Sequence, residues 1–260
     1  MSAARLLLAA LPLAPCLWPE GPRGIGAPSY STDSIVNAAS QRAGALAPNT
    51  IATLYGVDLA YSTRALQPAD LSAGAIPMVL DGVRVNLGGL YSPLLFVSPG
   101  QINFVVPYLL VAGELDLYVE RDNTRGPKVR IRLEEAAPAL FATESTILAT
   151  HADGRLLSAE APGVPGEVVV LYSTGLGRTE PDQAPGRLAV TADRIRRLDE
   201  LRVLLDEEPV SRILYCGVTP GFAGLYQINL ELPETIGKNP ELRIVLGDQG
   251  SPAGYRLPVR

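Results

Sequence analysis

After residue 33, most apolar stretches alternate apolar and polar positions with a period of two, the spacing of strands that keep one face in a core. The clearest case is Gln101-Ile102-Asn103-Phe104-Val105-Val106-Pro107, which returns as Gln227-Ile228-Asn229-Leu230-Glu231-Leu232-Pro233. Each copy follows a proline-glycine pair, Pro99-Gly100 and Pro220-Gly221. Each is also preceded by an apolar run that ends in an aromatic, Leu94-Leu95-Phe96 and Ile213-Leu214-Tyr215. One β unit is used twice.

The other runs keep the same order in both halves. Val83-Arg84-Val85-Asn86-Leu87 alternates between the turn pairs Asp81-Gly82 and Gly88-Gly89, and Leu201-Arg202-Val203-Leu204-Leu205 answers it, with residues 206–209 in place of the second turn. Residues 146–150 answer 34–38, and residues 167–177 answer 50–60 with a shared Leu-Tyr pair. Glu114-Leu115-Asp116-Leu117-Tyr118-Val119 and Lys128-Val129-Arg130-Ile131-Arg132-Leu133 alternate charged with apolar residues, so one face of each meets water. Two copies are too few for a solenoid. The pattern predicts an all-β chain of two tandem immunoglobulin-like β-sandwiches related by duplication, at 34–141 and 142–260, with Ala137-Pro138-Ala139 as the passage between them. That passage is short and apolar, which predicts that the two units pack on each other. Ala192, Ile195, Leu198 and Leu201 recur at every third position, a helical spacing inside an otherwise β pattern.

The first 33 residues differ from the rest. Arg5 precedes an apolar run at residues 6–18 that is too short to span a bilayer and is broken by Pro12 and Pro15. This is the form of a secretory signal, followed by a linker rich in Gly, Pro and Ser. Leu13-Ala14-Pro15-Cys16 is similar to a lipoprotein box, with proline where a small residue is wanted. No later segment is long and apolar enough to span a membrane, so the expected location is secreted, cell-surface or periplasmic.

Composition narrows the function. With 47% hydrophobic and 19% charged residues, the 260-residue chain has material for two cores. A net charge of −5, with no basic stripe interleaved with aromatics, argues against nucleic acid as a partner. Cys16 and Cys216 cannot build a disulfide framework or a cysteine zinc site, and Cys216 reads as a small buried hydrophobe. His151, the single histidine, sits in a turn motif without a partner nucleophile. Ser173 lacks the preceding glycine of a nucleophile elbow, and Gly175-Leu176-Gly177 opens no βαβ unit. Asp206, Glu207 and Glu208 match no calcium loop. No catalytic residue, metal or cofactor is expected.

Gln101 and Asn103 share one strand face, as do Gln227 and Asn229. Two accounts stand. The amides tie down neighbouring backbone, which repetition in both copies favours. Alternatively they form a polar platform beside Tyr91 or Tyr226 for a sugar, which makes Tyr91, Gln101, Asn103, Tyr226, Gln227 and Asn229 the candidate ligand-binding residues.

Further motifs are Ile35-Val36-Asn37-Ala38-Ala39-Ser40, Val97-Ser98-Pro99-Gly100-Gln101-Ile102-Asn103-Phe104, Ala137-Pro138-Ala139-Leu140-Phe141 and Leu171-Tyr172-Ser173-Thr174-Gly175-Leu176-Gly177. In combination they resemble the C-terminal module of secreted acidobacterial proteins called the Solibacter C-terminal domain. The resemblance implies an extracellular sandwich similar to the IPT/TIG type, with no assigned catalytic residues. The expected function is a non-catalytic extracellular binding or adhesion module for polysaccharide or an envelope protein. The alternative is a structural spacer or assembly module of the cell envelope. A glycan-active hydrolase is the least favoured, because it needs two facing carboxylates that no motif supplies.

Overall fold

In the computed structural model residues 26–260 are described; the expected targeting segment, Cys16 included, lies outside them. The first half contributes β1 (Ile35–Asn37), β2 (Ile51–Tyr55), β3 (Val83–Leu87), β4 (Leu90–Tyr91), β5 (Leu94–Val97), β6 (Gln101–Val105), β7 (Gly113–Arg121), β8 (Thr124–Arg125) and β9 (Val129–Leu133). The second contributes β10 (Ala139–Leu140), β11 (Ala149–His151), β12 (Val168–Thr174), β13 (Leu201–Leu205), β14 (Glu208–Pro209), β15 (Ile213–Val218), β16 (Tyr226–Glu231), β17 (Leu242–Leu246) and β18 (Gln249–Gly250). The chain is all-β.

Each half is a sandwich of two antiparallel sheets. In the first, β1-β2-β6-β5 faces β8-β7-β3-β4, with β9 alongside β7. In the second, β10-β12-β16-β15 faces β14-β13-β17-β18, with β11 alongside β12. The inward residues supply each core: Leu54, Ile102, Phe104, Val85, Leu117 and Val119 in the first, Leu171, Ile228, Leu230, Val203 and Ile244 in the second.

The duplication extends to strand register. Tyr55 pairs with Gln101 and Leu54 with Ile102; Tyr172 pairs with Gln227 and Leu171 with Ile228. The β-bulge is duplicated as well. The register shifts between Leu94 and Phe96 in one copy and between Ile213 and Tyr215 in the other, leaving Phe96 opposite Asn103 and Tyr215 opposite Asn229. The two-residue hairpin turns correspond too, Gly88–Gly89 before β4 and Asp206–Glu207 before β14.

Several expectations shift. Ile35 and Ala149 occupy equivalent places, opposite Leu54 and Leu171, so the match of 146–150 to 34–38 moves by two residues. β10 pairs with β12, which places Ala139 and Leu140 in the second sandwich, ahead of the expected 141/142 boundary. The spacing at 192–201 forms no α-helix. Arg194–Ile195 pairs with Thr179–Glu180 and reaches Gly217, and only Leu198–Glu200 makes a 3-10 turn, so sheet pairing overrides the local spacing. Residues 26–32 of the expected linker lie against the first sandwich. The backbone of Ser29 bridges Val57, while Tyr30 donates to the Pro127 carbonyl and accepts from the Val119 amide.

The two sandwiches meet through the outer faces of the β6 and β16 sheets. Ala38, Ile51, Leu95 and Val105 pack there against Ala139, Phe141, Tyr172 and Leu225. The Thr174 hydroxyl accepts from the Ile51 amide at 2.9 Å and donates to the Gly224 carbonyl at 2.7 Å. Gly175 and Gly177 take φ of 79° and 78°, and a Cβ at either would collide with the carbonyls of Ala137 and Glu135. The Gly-Leu-Gly motif therefore gives the crossing chain its closest approach.

Candidate functional site

The repeated amides are engaged within the protein. Gln101 Nε2 donates to Asn103 Oδ1 at 2.9 Å, and Thr53 Oγ1 donates to the same oxygen at 3.1 Å. Both amides are buried, at 8% and 4% exposure. In the second copy Gln227 Nε2 reaches Asn229 Oδ1 at 3.3 Å, with both side chains half-buried. The pattern repeats as a bond along the strand, which is a fold role.

Tyr226 is 0% exposed, and its hydroxyl bonds to Gly177 and Asn49. It shares the inward face with Ile228 and Leu230, away from Gln227 and Asn229. It cannot flank a ligand platform. Tyr91 is exposed, but on β4 in the opposite sheet from Gln101 and Asn103. The structure brings the six candidates together as two amide pairs and leaves both tyrosines apart from them.

What Tyr91 does join is a different row. Val83, Val85 and Leu87 of β3 and Leu115, Leu117 and Val119 of β7 point into the core, so Arg84, Asn86, Asp116, Tyr118 and Glu120 point outward. Cross-strand pairing places Asn86 between Tyr91 and Tyr118. The three side chains form one line across β4, β3 and β7. Asn86 is only 6% exposed; its carbonyl oxygen accepts from the Gly89 amide at 3.2 Å, and among the described residues its amide nitrogen has no hydrogen-bond partner. A second row runs beside it, with Arg84 opposite Glu120 and Glu120 opposite Arg125. Arg84 lies over the Tyr91 ring at 5.4 Å and Arg125 over the Tyr118 ring at 4.2 Å. Tyr91 also donates to Glu120 at 3.3 Å.

The expected alternation placed Tyr118, Asn86 and Arg84 outward, yet the register that assembles them was not readable from it. The second sandwich has no such row. At the equivalent pairs stand Leu204, Pro209 and Arg243.

Two recesses adjoin this face. A cleft of about 150 Å³ between the sandwiches is lined by Met78, Leu90, Tyr91, Tyr108 and Leu109. Its wall is fixed by Tyr108, which donates to Asp182 at 2.6 Å and accepts from the Thr179 amide at 3.1 Å. Burial pushes the Tyr108 hydroxyl above its ordinary range, and the same hydrogen bond holds the Asp182 carboxyl below its own. At the far end of β7 a groove of about 550 Å³ is lined by Glu114, Arg132, Glu134, Arg197 and Gln249.

The remaining polar candidates are engaged elsewhere. His151 is buried at the end of β11, with Nδ1 on Glu167 and Nε2 at 3.2 Å from the Ala161 carbonyl. Ser173 is buried at 0% exposure, and among the described residues its hydroxyl has no hydrogen-bond partner. Asp206 accepts from the Glu241 amide, and Glu207 pairs with Arg243. Among the described residues no group of three or more His, Cys, Asp or Glu is placed to hold a metal ion, and no helix is long and apolar enough to cross a membrane.

No protein-family model and no curated protein matches the chain. Among solved structures it is similar to the SGBP-B protein of the Bacteroides ovatus mixed-linkage glucan utilization locus, solved with a mixed-linkage heptasaccharide, at 10% identity and a TM-score of 0.33, over 84% of this chain and 38% of that one. It is similar to the surface glycan-binding protein PbSGBP-B from Prevotella bryantii at 11% identity and a TM-score of 0.28, over 89% and 42% of the two chains. A tandem pair of titin immunoglobulin domains overlaps at 8% identity and a TM-score of 0.24, over 89% and 91%. The chain thus spans less than half the length of either bacterial structure.

Proposed function

We propose that this chain is a non-catalytic extracellular binding module that holds a glycan against the outer face of its first sandwich. The observation that carries the reading is the Tyr91–Asn86–Tyr118 row, which one copy of the duplicated unit has and the other lacks. Features kept in both copies serve the shared fold, as the Gln-Ile-Asn strands do. A surface feature confined to one copy is free to serve a ligand.

The chemistry fits a sugar. A pyranose presents an apolar C–H face and a rim of hydroxyls, and aromatic rings beside amide and guanidinium donors complement both. The row stands on paired strands, which hold its spacing better than loops would. The carboxylates that flank the row are ion-pair partners, Glu120 for Arg125 and Asp116 for Lys128 and Arg130, which supports binding rather than catalysis there. The secreted or surface location expected from the leader is consistent with a polysaccharide ligand. We propose kinship with the Solibacter-type module on the same motifs as before.

The test is to titrate the full chain against immobilised envelope and plant polysaccharides, with Tyr91→Ala and Tyr118→Ala variants whose folding is checked by circular dichroism. Saturable binding that weakens about tenfold or more in each variant is expected, the size typical of an aromatic anchor. Absence of binding across the panel, or binding indifferent to both substitutions, would overturn the reading.

A further inference from the structure

We propose that the glycan held on this face is anionic, a polysaccharide bearing uronate carboxylates, and that it lies along β7. The inference rests on the glycan-binding reading and names the class of ligand for that site.

The Tyr91–Asn86–Tyr118 row is bracketed by charge on both sides. On one side lie Arg84 and Arg125 with Glu120; on the other lies Arg130 opposite Asp116, which Lys128 also reaches. With Glu114 and Arg132, the next outward pair along β7, five cations face three carboxylates on a chain whose net charge is −5. The two carboxylates beside the row are already committed: Glu120 takes Arg125 at 2.6 Å, and Asp116 takes Lys128 at 3.2 Å and Arg130 at 3.6 Å. Arg84 is exposed and, among the described residues, has no carboxylate within ion-pair distance. Its guanidinium is held over Tyr91, which leaves its N–H groups for an incoming anion.

The direction of the track follows from the strand. Asp116, Tyr118 and Glu120 succeed one another on the outward face of β7, and Arg84 and Arg130 stand opposite Glu120 and Asp116 on its two sides. A carboxylated chain running along β7 meets a guanidinium on each flank of the strand, the two offset by about 13 Å along its axis at the rise of a strand. Each carboxylate can take a charge-assisted hydrogen bond there, while the sugar ring between them lies against Tyr118, where the track crosses the aromatic row. A neutral glycan would use the tyrosines and leave the surplus cations unmatched.

The deciding comparison keeps the sugar backbone and removes the charge. The full chain is titrated with polygalacturonate and with its fully methyl-esterified form, at low and at physiological salt. Single-stranded DNA is the control polyanion, and a neutral β-glucan the control glycan. The expected result is about tenfold tighter binding of the free acid, weakening as salt rises. Arg84→Gln and Arg130→Gln should each weaken the acid about fivefold more than they weaken the ester. Equal binding of acid and ester, or binding of the neutral glucan alone, overturns the anionic ligand and keeps the glycan platform. DNA bound as tightly as polygalacturonate overturns it as well, by showing charge recognition without sugar recognition. Failure of every polysaccharide overturns the platform itself.

Discussion

Asn49, from the first sandwich, donates its side-chain amide hydrogen at 3.0 Å to the hydroxyl of Tyr226 in the core of the second. Tyr226 in turn donates to the Gly177 carbonyl at the inter-sandwich crossing. Asn49 takes φ of 64°, a left-handed conformation that asparagine tolerates. One chain of hydrogen bonds thus links a turn, a core tyrosine and the Gly-Leu-Gly segment.

Tyr226→Phe removes the donor to Gly177 and one acceptor of Asn49, whose amide keeps Gln183 Oε1 at 3.3 Å. The loss should be about 1–3 kcal/mol, the cost of leaving a buried polar group without its partner. Asn49→Gly, which keeps the left-handed backbone available, should cost a similar amount. The double variant should cost less than the sum, because the two residues share one bond. Urea unfolding with an unchanged denaturant dependence measures this. Strict additivity would show that the bond does not couple the sandwiches.

Cys216 is 0% exposed on β15, inside the second core. Burial pushes its thiol well above the ordinary range, so thiolate is scarce at neutral pH. In a Cys16→Ser chain, a thiol-reactive aromatic disulfide should give no colour change until denaturant is added. Reaction at the rate of a free thiol in the native protein would contradict the packed core.

The tyrosines set an alkaline limit. Tyr30 is pushed up to about 12 chiefly by burial, against a smaller opposite effect of the Val119 amide, and Tyr215 is pushed up to about 12 by burial. In the unfolded chain both ionise near 10.0. Above that pH the folded state binds more protons than the unfolded state. Their contribution to stability is therefore complete below pH 10.0 and is lost as pH rises toward about 12. Tyrosinate absorbance should rise in two stages, with the later stage coinciding with loss of β-sheet circular dichroism. A single early stage in a still-folded protein would contradict these environments.

Much of the fold could be read along the chain, because local alternation and turn chemistry agree with it. The apolar runs ending in Phe96 and Tyr215 mark the positions that the duplicated bulge sets opposite Asn103 and Asn229. The alternation also placed Tyr226 with Ile228 and Leu230 on the inward face, so its exclusion from a surface platform was implicit in the sequence. The two-residue Gly88–Gly89 turn sets Asn86 opposite Tyr91, but Tyr118 was not readable as the third member of the row, since period-two alternation fixes which face a residue takes and not which residue of a distant strand stands beside it. For the same reason the partner of His151 stayed hidden. Glu167 lies on the far side of a loop, and only the folded β11–β12 pairing brings the two together.

The two hairpin turns supply the last prediction. Gly88 and Gly89 adopt φ of 57° and 86°, and their counterparts Asp206 and Glu207 adopt 48° and 67°. Positive φ at both central positions is the type I′ turn that matches strand twist, and it favours glycine. Glu207 bears that cost with little return, since its ion pair with Arg243 at 3.3 Å involves a side chain 69% exposed. Glu207→Gly should therefore raise stability by up to about 1 kcal/mol, the left-handed penalty less the added freedom of the unfolded glycine. Asp206→Gly should not do so, because Asp206 also accepts from the Glu241 amide at 2.8 Å and would forfeit that bond. Thermal unfolding of the two variants separates the effects. A midpoint that rises for Glu207→Gly and stays level or falls for Asp206→Gly places the strain at the second turn residue, and a fall for Glu207→Gly would show that the Arg243 pair outweighs it.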